Sequence, residues 1–299
     1  MSLPNLRPLG FGEILDGAFT LYRRNFVTFL VTALIPMVVM AGVIAVFGVG
    51  VFAAMASGDP TAMMGMMGGL FLMAIVGGLV YVVMWGGLTR EAAQAYLGQP
   101  TSVADGMGTG LRKLAWVVAA GIVAILGMIV VIFALSLVVG ILAAIAGGSG
   151  STAVAVVIGF VTFVVMGAVY LLSFAMLFAV VPAIVVEDKG PIEAIGRSID
   201  LARGALGRVV GLMLVTLLIT YLPMIAVMFV TGGFANFANP DVMPSAGQFM
   251  TQQLLGLGAG VLTTPFMVSV IVLLYFDRRV RTEALDVQMA TDRLAMAGS

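Results

Sequence analysis

Residues 114–146 read LAWVVAAGIVAILGMIVVIFALSLVVGILAAIA, without one charged side chain along the way. A helix rising 1.5 Å per residue needs about 20 apolar residues to cross a hydrocarbon core about 30 Å thick. This stretch exceeds that need and has room to tilt. Working outward, residues 26–51, 70–88, 153–181, 209–230 and 254–276 meet the same test, and none contains Lys, Arg, Asp or Glu. The reading is an all-α fold, a polytopic membrane helix bundle with six transmembrane helices.

Composition agrees. Of 299 residues, 62% are hydrophobic and 9% charged, whereas a soluble domain carries about 25% charged residues. There is no histidine and no cysteine. That removes the usual zinc and haem ligands, Ser-His-Asp and Cys-His nucleophiles, and disulfides. No cofactor, metal site or catalytic set is therefore expected. With 14 basic residues against 14 acidic ones, the chain also lacks the basic excess that nucleic acid would require.

The charges sort by side. All the Lys and Arg residues fall in the lead before the first span, in the connections holding Arg90 to Lys113 and Lys189 to Arg208, and after the sixth span. The opposite connections hold Asp59 and Asp241 and no cation. By the positive-inside rule both termini are expected in the cytoplasm. Trp85 and Trp116 fall near that boundary, where amphipathic rings prefer to lie. The polar lead reads as the start of a retained helix rather than a signal peptide, because no small-residue cleavage site follows its apolar run.

Helix breakers recur in phase. Pro8, Pro100 and Pro191 each open a stretch that leads through basic residues into an odd-numbered span. Within those spans Leu34-Ile35-Pro36-Met37-Val38, Ile125-Leu126-Gly127-Met128-Ile129 and Tyr221-Leu222-Pro223-Met224-Ile225 echo one another. The chain therefore reads as one integral membrane domain of three hairpin repeats, about 1–90, 91–186 and 187–299. Each repeat has an inner amphipathic helix, a span, a short outer turn and a return span. After Pro191, the residues Ile192, Ile195, Ile199, Ala202 and Leu206 fall at helical spacing, with Glu193 and Arg197 on the other side. Such a helix should lie in the headgroup plane with Arg197 toward the cytoplasm. In the lead, Phe11, Ile14, Leu15, Ala18 and Tyr22 repeat the pattern. The second connection offers a capping box, Ser102 with Asp105, but Gly106, Gly108 and Gly110 predict the weakest of the three helices.

The remaining motifs read as packing. Gly106-Met107-Gly108-Thr109-Gly110 lacks the G-x-G-x-x-G spacing and a preceding strand. The pairs Gly207/Gly211 and Gly256/Gly260 suit close helix contacts. Isolated hydroxyls such as Thr162, Ser173, Thr216 and Ser269 are expected to bond back to their own helices. With no ionisable residue inside the predicted spans, proton-coupled transport is not expected.

Three segments resemble the bacterial glycerophosphoryl diester phosphodiesterase membrane-domain family. They are Leu9-Gly10-Phe11-Gly12-Glu13-Ile14-Leu15-Asp16, the stretch from Glu187 to Arg208 with Gly190-Pro191 and Arg197-Ser198, and Tyr275-Phe276-Asp277-Arg278-Arg279-Val280-Arg281. Some members of that group carry a phosphodiesterase barrel, which takes about 250 residues and histidines this chain does not have. The resemblance thus implies a non-catalytic membrane module of the bacterial plasma membrane. Its motifs place Glu13, Asp16, Arg197, Asp277, Arg279 and Arg281 on one face, and a charge cluster is expected in which Glu13 and Asp16 cross-pair with Arg197, Arg279 and Arg281. The function expected is that of a non-enzymatic, lipid-interacting or scaffolding protein. The alternative is a transporter or flippase-like protein for an uncharged or amphipathic substrate. Membrane lipids are the expected partners; another membrane or cytoplasmic protein and the oligomeric state are left open.

Overall fold

The computed structural model describes residues 7–57, 59–147, 152–234 and 245–284. Most of the second and third outer connections, with Asp241, lie outside the described residues, as do Asp286 and Arg293. In chain order the helices are α1 (Phe11–Arg24), α2 (Phe26–Val43), a π-helical stretch (Ile44–Gly48), α3 (Val49–Ser57), α4 (Pro60–Tyr96), α5 (Val103–Gly147), α6 (Thr152–Met176), α7 (Val180–Val186), α8 (Pro191–Ala202), α9 (Leu206–Val230) and α10 (Ala246–Glu283). Six segments are long and apolar enough to cross a membrane: Phe26–Val51, Pro60–Tyr96, Val103–Ala144, Thr152–Val186, Leu206–Val230 and Gly247–Glu283.

Local chemistry sets the boundaries. Pro60 and Pro191 stand in the first turns of α4 and α8, where a missing N–H costs nothing. Before α4, the Asp59 carboxylate accepts from the Thr61 N–H at 2.9 Å, and before α10 the Ser245 hydroxyl accepts from the Gln248 N–H at 3.1 Å. Between α8 and α9, Gly204 takes φ +74°, a conformation that glycine adopts without strain.

Two of the three expected inner helices are separate elements, α1 and α8. The second connection differs: α5 begins at Val103 and runs on unbroken into its span. Its glycines do not weaken it, because they are the contact. A Cβ on Gly110 would overlap the carbonyl oxygen of Val83, and one on Gly86 would sit 3.0 Å from the Gly110 Cα. Gly106 and Gly110 are thus a small-xxx-small pair that lets α4 and α5 touch backbone to backbone. The capping box does not form either: the Asp105 carboxylate accepts from Arg90 Nε at 3.1 Å and Gln94 Nε2 at 2.8 Å instead of from Ser102. The pairs that the sequence did single out play lesser parts. Gly256 receives Met224 and Gly211 receives Phe11, while a side chain on Gly207 would meet nothing.

The core lies at the end of the bundle that carries the basic residues. There α10 is the central post, buried at Val268 and continuously from Val270 to Phe276. Against it pack Ile14 and Ala18 of α1, Phe29 of α2, Leu88 of α4 and Leu212 of α9. Gly17 of α1 faces Leu273 so closely that a Cβ would come within 2.8 Å. Toward the other end the helices expose apolar side chains, as a hydrocarbon solvent permits. On α5, Ile125, Val130 and Phe133 have no cover, and on α6 Phe160 and Phe163 have none.

Candidate functional site

The charged end is organised by three faces of α10. On the first, Tyr275, Arg279 and Glu283 recur every fourth residue. The Glu187 carboxylate, just after α7, accepts from the Tyr275 hydroxyl and from Arg197 Nε and Nη2, the latter at 2.9 Å. Arg279 Nε lies 3.4 Å from Glu187 and 3.2 Å from Glu283, and Arg197 pairs with Glu283 as well. Two acids and two bases thus alternate around the tyrosine hydroxyl. The hydrogen bond to Glu283, followed by the one to Glu187, raises the pKa of Arg197 above the ordinary arginine value although burial opposes it.

On the second face Asp277 is buried. Its carboxylate accepts from the Leu9 N–H at 2.7 Å and from Arg281 Nε at 3.0 Å, and lies 3.2 Å from Arg208 Nη2. Both arginines also donate to the Leu9 carbonyl, Arg281 at 2.8 Å. This clamp ties the segment before α1 and the start of α9 to α10. On the third face Arg278 donates to the Leu201 carbonyl at 2.7 Å and the Arg203 carbonyl at 3.2 Å. A cation there satisfies the last acceptors of α8 and suits the negative end of its dipole.

α8 is held from its other side by Ser198. That hydroxyl donates to the Met176 carbonyl at 2.7 Å and accepts from the Ala179 N–H at 2.9 Å. One side chain therefore bridges the break between α6 and α7, where helical partners are missing.

A cavity of about 530 Å³ lies deeper in the bundle, among α4, α5, α6, α9 and α10. Tyr81, Trp85, Tyr170, Phe174 and Tyr221 make its aromatic wall, and no charged residue lines it. Tyr81 and Trp85 sit one helical turn apart with ring centroids separated by 5.7 Å. The cavity is not sealed, for Tyr170 and Tyr221 are 65% and 58% exposed. The buried indole N–H of Trp85 makes no hydrogen bond. Thr220 and Thr263, also on the wall, donate to the carbonyls of Thr216 and Ala259 in their own helices.

The family model that matches this sequence covers residues 86–281 and describes a domain of unknown function, DUF7847. That is about two thirds of the chain. The protein belongs to the DUF7847 family. The DUF7847 segment begins at the glycine crossing of α4 and ends at the last base of the Asp277 clamp, so it contains the α10 anchors from Tyr275 to Arg281, though not Glu283, and the α6, α9 and α10 walls of the cavity. No curated protein and no solved structure matches the chain.

Within this DUF7847 protein the residues expected to form one charge cluster divide. Arg197, Asp277, Arg279 and Arg281 join the two networks. Glu13 does not: its carboxylate accepts from the Gly10 N–H at 2.5 Å and from Arg7 at 2.7 Å, contacts that in that order lower its pKa. Asp16 is exposed on α1 and joins neither network. The real partners of Arg197 and Arg279 are Glu187 and Glu283, with Tyr275 between them, and that of Arg281 is Asp277. The i, i+4 spacing of Tyr275, Arg279 and Glu283 was the signal available.

The buried stripe of α8 is also rolled from the expected one. Ala194, Ser198, Leu201 and Ala202 face the bundle. Ile195 and Ile199 lie half-buried at its edge, Leu206 packs partly against the core, and Ile192 is 74% exposed. Arg197, expected to face the cytoplasm and to pair with Glu13 or Asp16, turns into the Glu187–Glu283 pair. The cause is the Ser198 bridge and the ionic network together, which fix a roll that apolar spacing alone leaves open.

The second span runs on past its predicted end. Glu91, one turn beyond the expected end of the second, is fully buried on the continuing α4 and accepts from the Thr32 hydroxyl of α2 at 2.5 Å. Of the hydroxyls expected to bond back, Thr162, Thr216 and Ser269 donate to the carbonyls of Ile158, Leu212 and Pro265.

Proposed function

We propose that this protein is a non-enzymatic integral membrane module of the bacterial plasma membrane that takes an amphipathic, lipid-like molecule into its aromatic cavity. The cavity is the observation that carries this reading. It is apolar, uncharged, open to the side and of a volume that small-molecule sites have, about 300–1,000 Å³. The three-hairpin organisation, with α1 and α8 as interfacial helices, belongs to the same proposal. In it the ionic end faces the cytoplasm and the cavity draws on the inner leaflet. The exposed Ile192 on α8 and Phe19 on α1, the latter beside Arg23 on the same helix, suit a headgroup boundary. A flippase-like role would require the same cavity to open toward the other leaflet as well.

The test is purification of the full chain in native lipid particles, with mass spectrometry of the retained lipids. A Gly260→Leu variant fills the cavity from α10. Enrichment of one lipid class by the wild type and its loss from the variant are expected. Identical lipid profiles would remove the reading. Orientation is tested separately with single cysteines at Ser57, Ser245 and Gly196, all exposed. The first two should react with an impermeant label from outside and the third should not; outside reactivity at Gly196 would reverse the topology.

A further inference from the structure

We infer that the cavity selects an uncharged lipid head that offers carbonyl acceptors, a refinement that rests on the lipid-binding reading above. The wall has no charge to neutralise a phosphate or an ammonium group. Moving either out of water without a partner is costly, so charged heads are disfavoured on that ground alone.

What the wall does offer is donors. Thr220 and Thr263 already spend theirs on their own helices. The indole N–H of Trp85 is buried and meets no acceptor at full hydrogen-bond geometry, and the Tyr81 hydroxyl one turn away is close enough to interact with it. Tyr81 is also within electrostatic reach of Tyr170 and Tyr221. Among the described residues neither of those two hydroxyls is hydrogen-bonded, although both line the cavity. Three phenols and one indole N–H from α4, α6 and α9 therefore converge on one space. On the orientation proposed above, the surrounding hydrocarbon offers them no acceptor.

The complement of such a wall is a neutral head with oxygen acceptors, small enough for about 530 Å³ and followed by an apolar tail. Carbonyls on an isoprenoid quinone and ester carbonyls on a diacylglycerol share this chemistry. A quaternary ammonium would find ring faces to attract it. It carries no acceptor, however, and would leave the Trp85 N–H as it is.

The chain has two tryptophans, Trp85 and Trp116. Trp116 lies away from the cavity wall, so a Trp116→Phe protein leaves Trp85 as the sole indole reporter. Decylubiquinone, dioctanoylglycerol and dodecyltrimethylammonium are titrated into this protein in detergent. Quenching reports the quinone, and competition against it or a shift in emission reports the other two. The same titrations follow in the Tyr170→Phe and Tyr221→Phe backgrounds, which keep the rings and, because both residues are largely exposed, the fold.

Binding of either carbonyl probe, weakened about tenfold by loss of a hydroxyl, is the expected result. Quinone alone, glyceride alone or both identify the source of the carbonyl. A tighter cationic probe, or carbonyl binding indifferent to both Tyr→Phe changes, overturns the headgroup assignment and leaves lipid binding standing. If no probe binds, the assignment fails; the fate of the lipid-binding reading is then decided by the retained-lipid comparison with Gly260→Leu.

Discussion

The two halves of α10 both carry apolar side chains and sit in opposite environments. From Val268 to Phe276 nearly every side chain is buried, whatever direction it points; at Leu254, Leu255 and Leu262 they are exposed. Hydropathy does not separate them. What does is the chemistry at the end of the inner half. Tyr275 and Arg279 hold Glu187, Asp277 and Arg281 hold the segment at Leu9, and Arg278 holds the end of α8, so the helices between those anchors are drawn into contact. Lipid solvates apolar side chains as well as protein does, so nothing forces closure where no such anchors exist. The cavity lies where the tight half gives way to the loose one.

The largest effect should come from Asp277→Ala. It would leave Arg208 and Arg281 without their shared acid and release the Leu9 N–H. Breaking a buried pair costs about 3–5 kcal/mol, and the partial exposure of Arg281 puts the expectation near the lower figure. Unfolding in mild detergent measures it, and a loss under about 1 kcal/mol would mean that the clamp is ornamental.

Leu273→Ala on α10 and Phe163→Ala on α6 compare the packed end of the bundle with its exposed part. Leu273 is buried against Gly17, whereas Phe163 is 77% exposed. The first should cost about 2–4 kcal/mol; the second should stay within about 0.5 kcal/mol in a lipid bilayer. Equal costs would erase the distinction between a packed and a solvated half.

Ser198→Ala removes both bonds across the α6–α7 break. A loss of about 1–2 kcal/mol is expected, with faster amide exchange at Ala179. Ser198→Thr keeps the hydroxyl, and exchange at Ala179 should remain close to wild type.

Six helices long and apolar enough to cross a membrane were legible from composition and length, and the gathering of charge at one end from the positions of the basic residues. So were α1 and α8, whose apolar residues recur at helical spacing. The ionic pairing was legible in part. Asp277 and Arg281 stand four apart, as do Tyr275, Arg279 and Glu283, but nothing local says that Arg197 turns inward to Glu187. With Tyr275 and Glu283 of α10, that contact joins residues from three separate parts of the chain, and the roll of α8 depends on it. The Gly106/Gly110 pair was misread for a related reason. A glycine lowers helix propensity in isolation, yet at a helix crossing it is what admits the neighbouring backbone. The cavity left no trace in sequence, since Tyr81, Tyr170 and Tyr221 come from three helices and no periodicity connects them.

The smallest effect concerns Glu13. Its folded-state pKa is lowered by the Gly10 N–H and Arg7. The stabilisation is therefore present above the ordinary carboxylate pKa of 4.5 and is lost as pH falls through the lowered value. Glu13→Gln should be slightly less stable than wild type at pH 7 and indistinguishable from it once the carboxyl is protonated. A difference that persists in acid would assign the effect to something other than charge.

The central claim is that separate faces of α10 hold separate elements. Amide hydrogen exchange over residues 9–20 and 191–202, compared between wild type and Asp277→Asn, tests it most directly. The account predicts faster exchange in 9–20, where the Leu9 clamp is weakened, and unchanged protection in 191–202, which Ser198, Arg278 and the Glu187 pair still hold. Loss of protection in both segments together, or in neither, would contradict it.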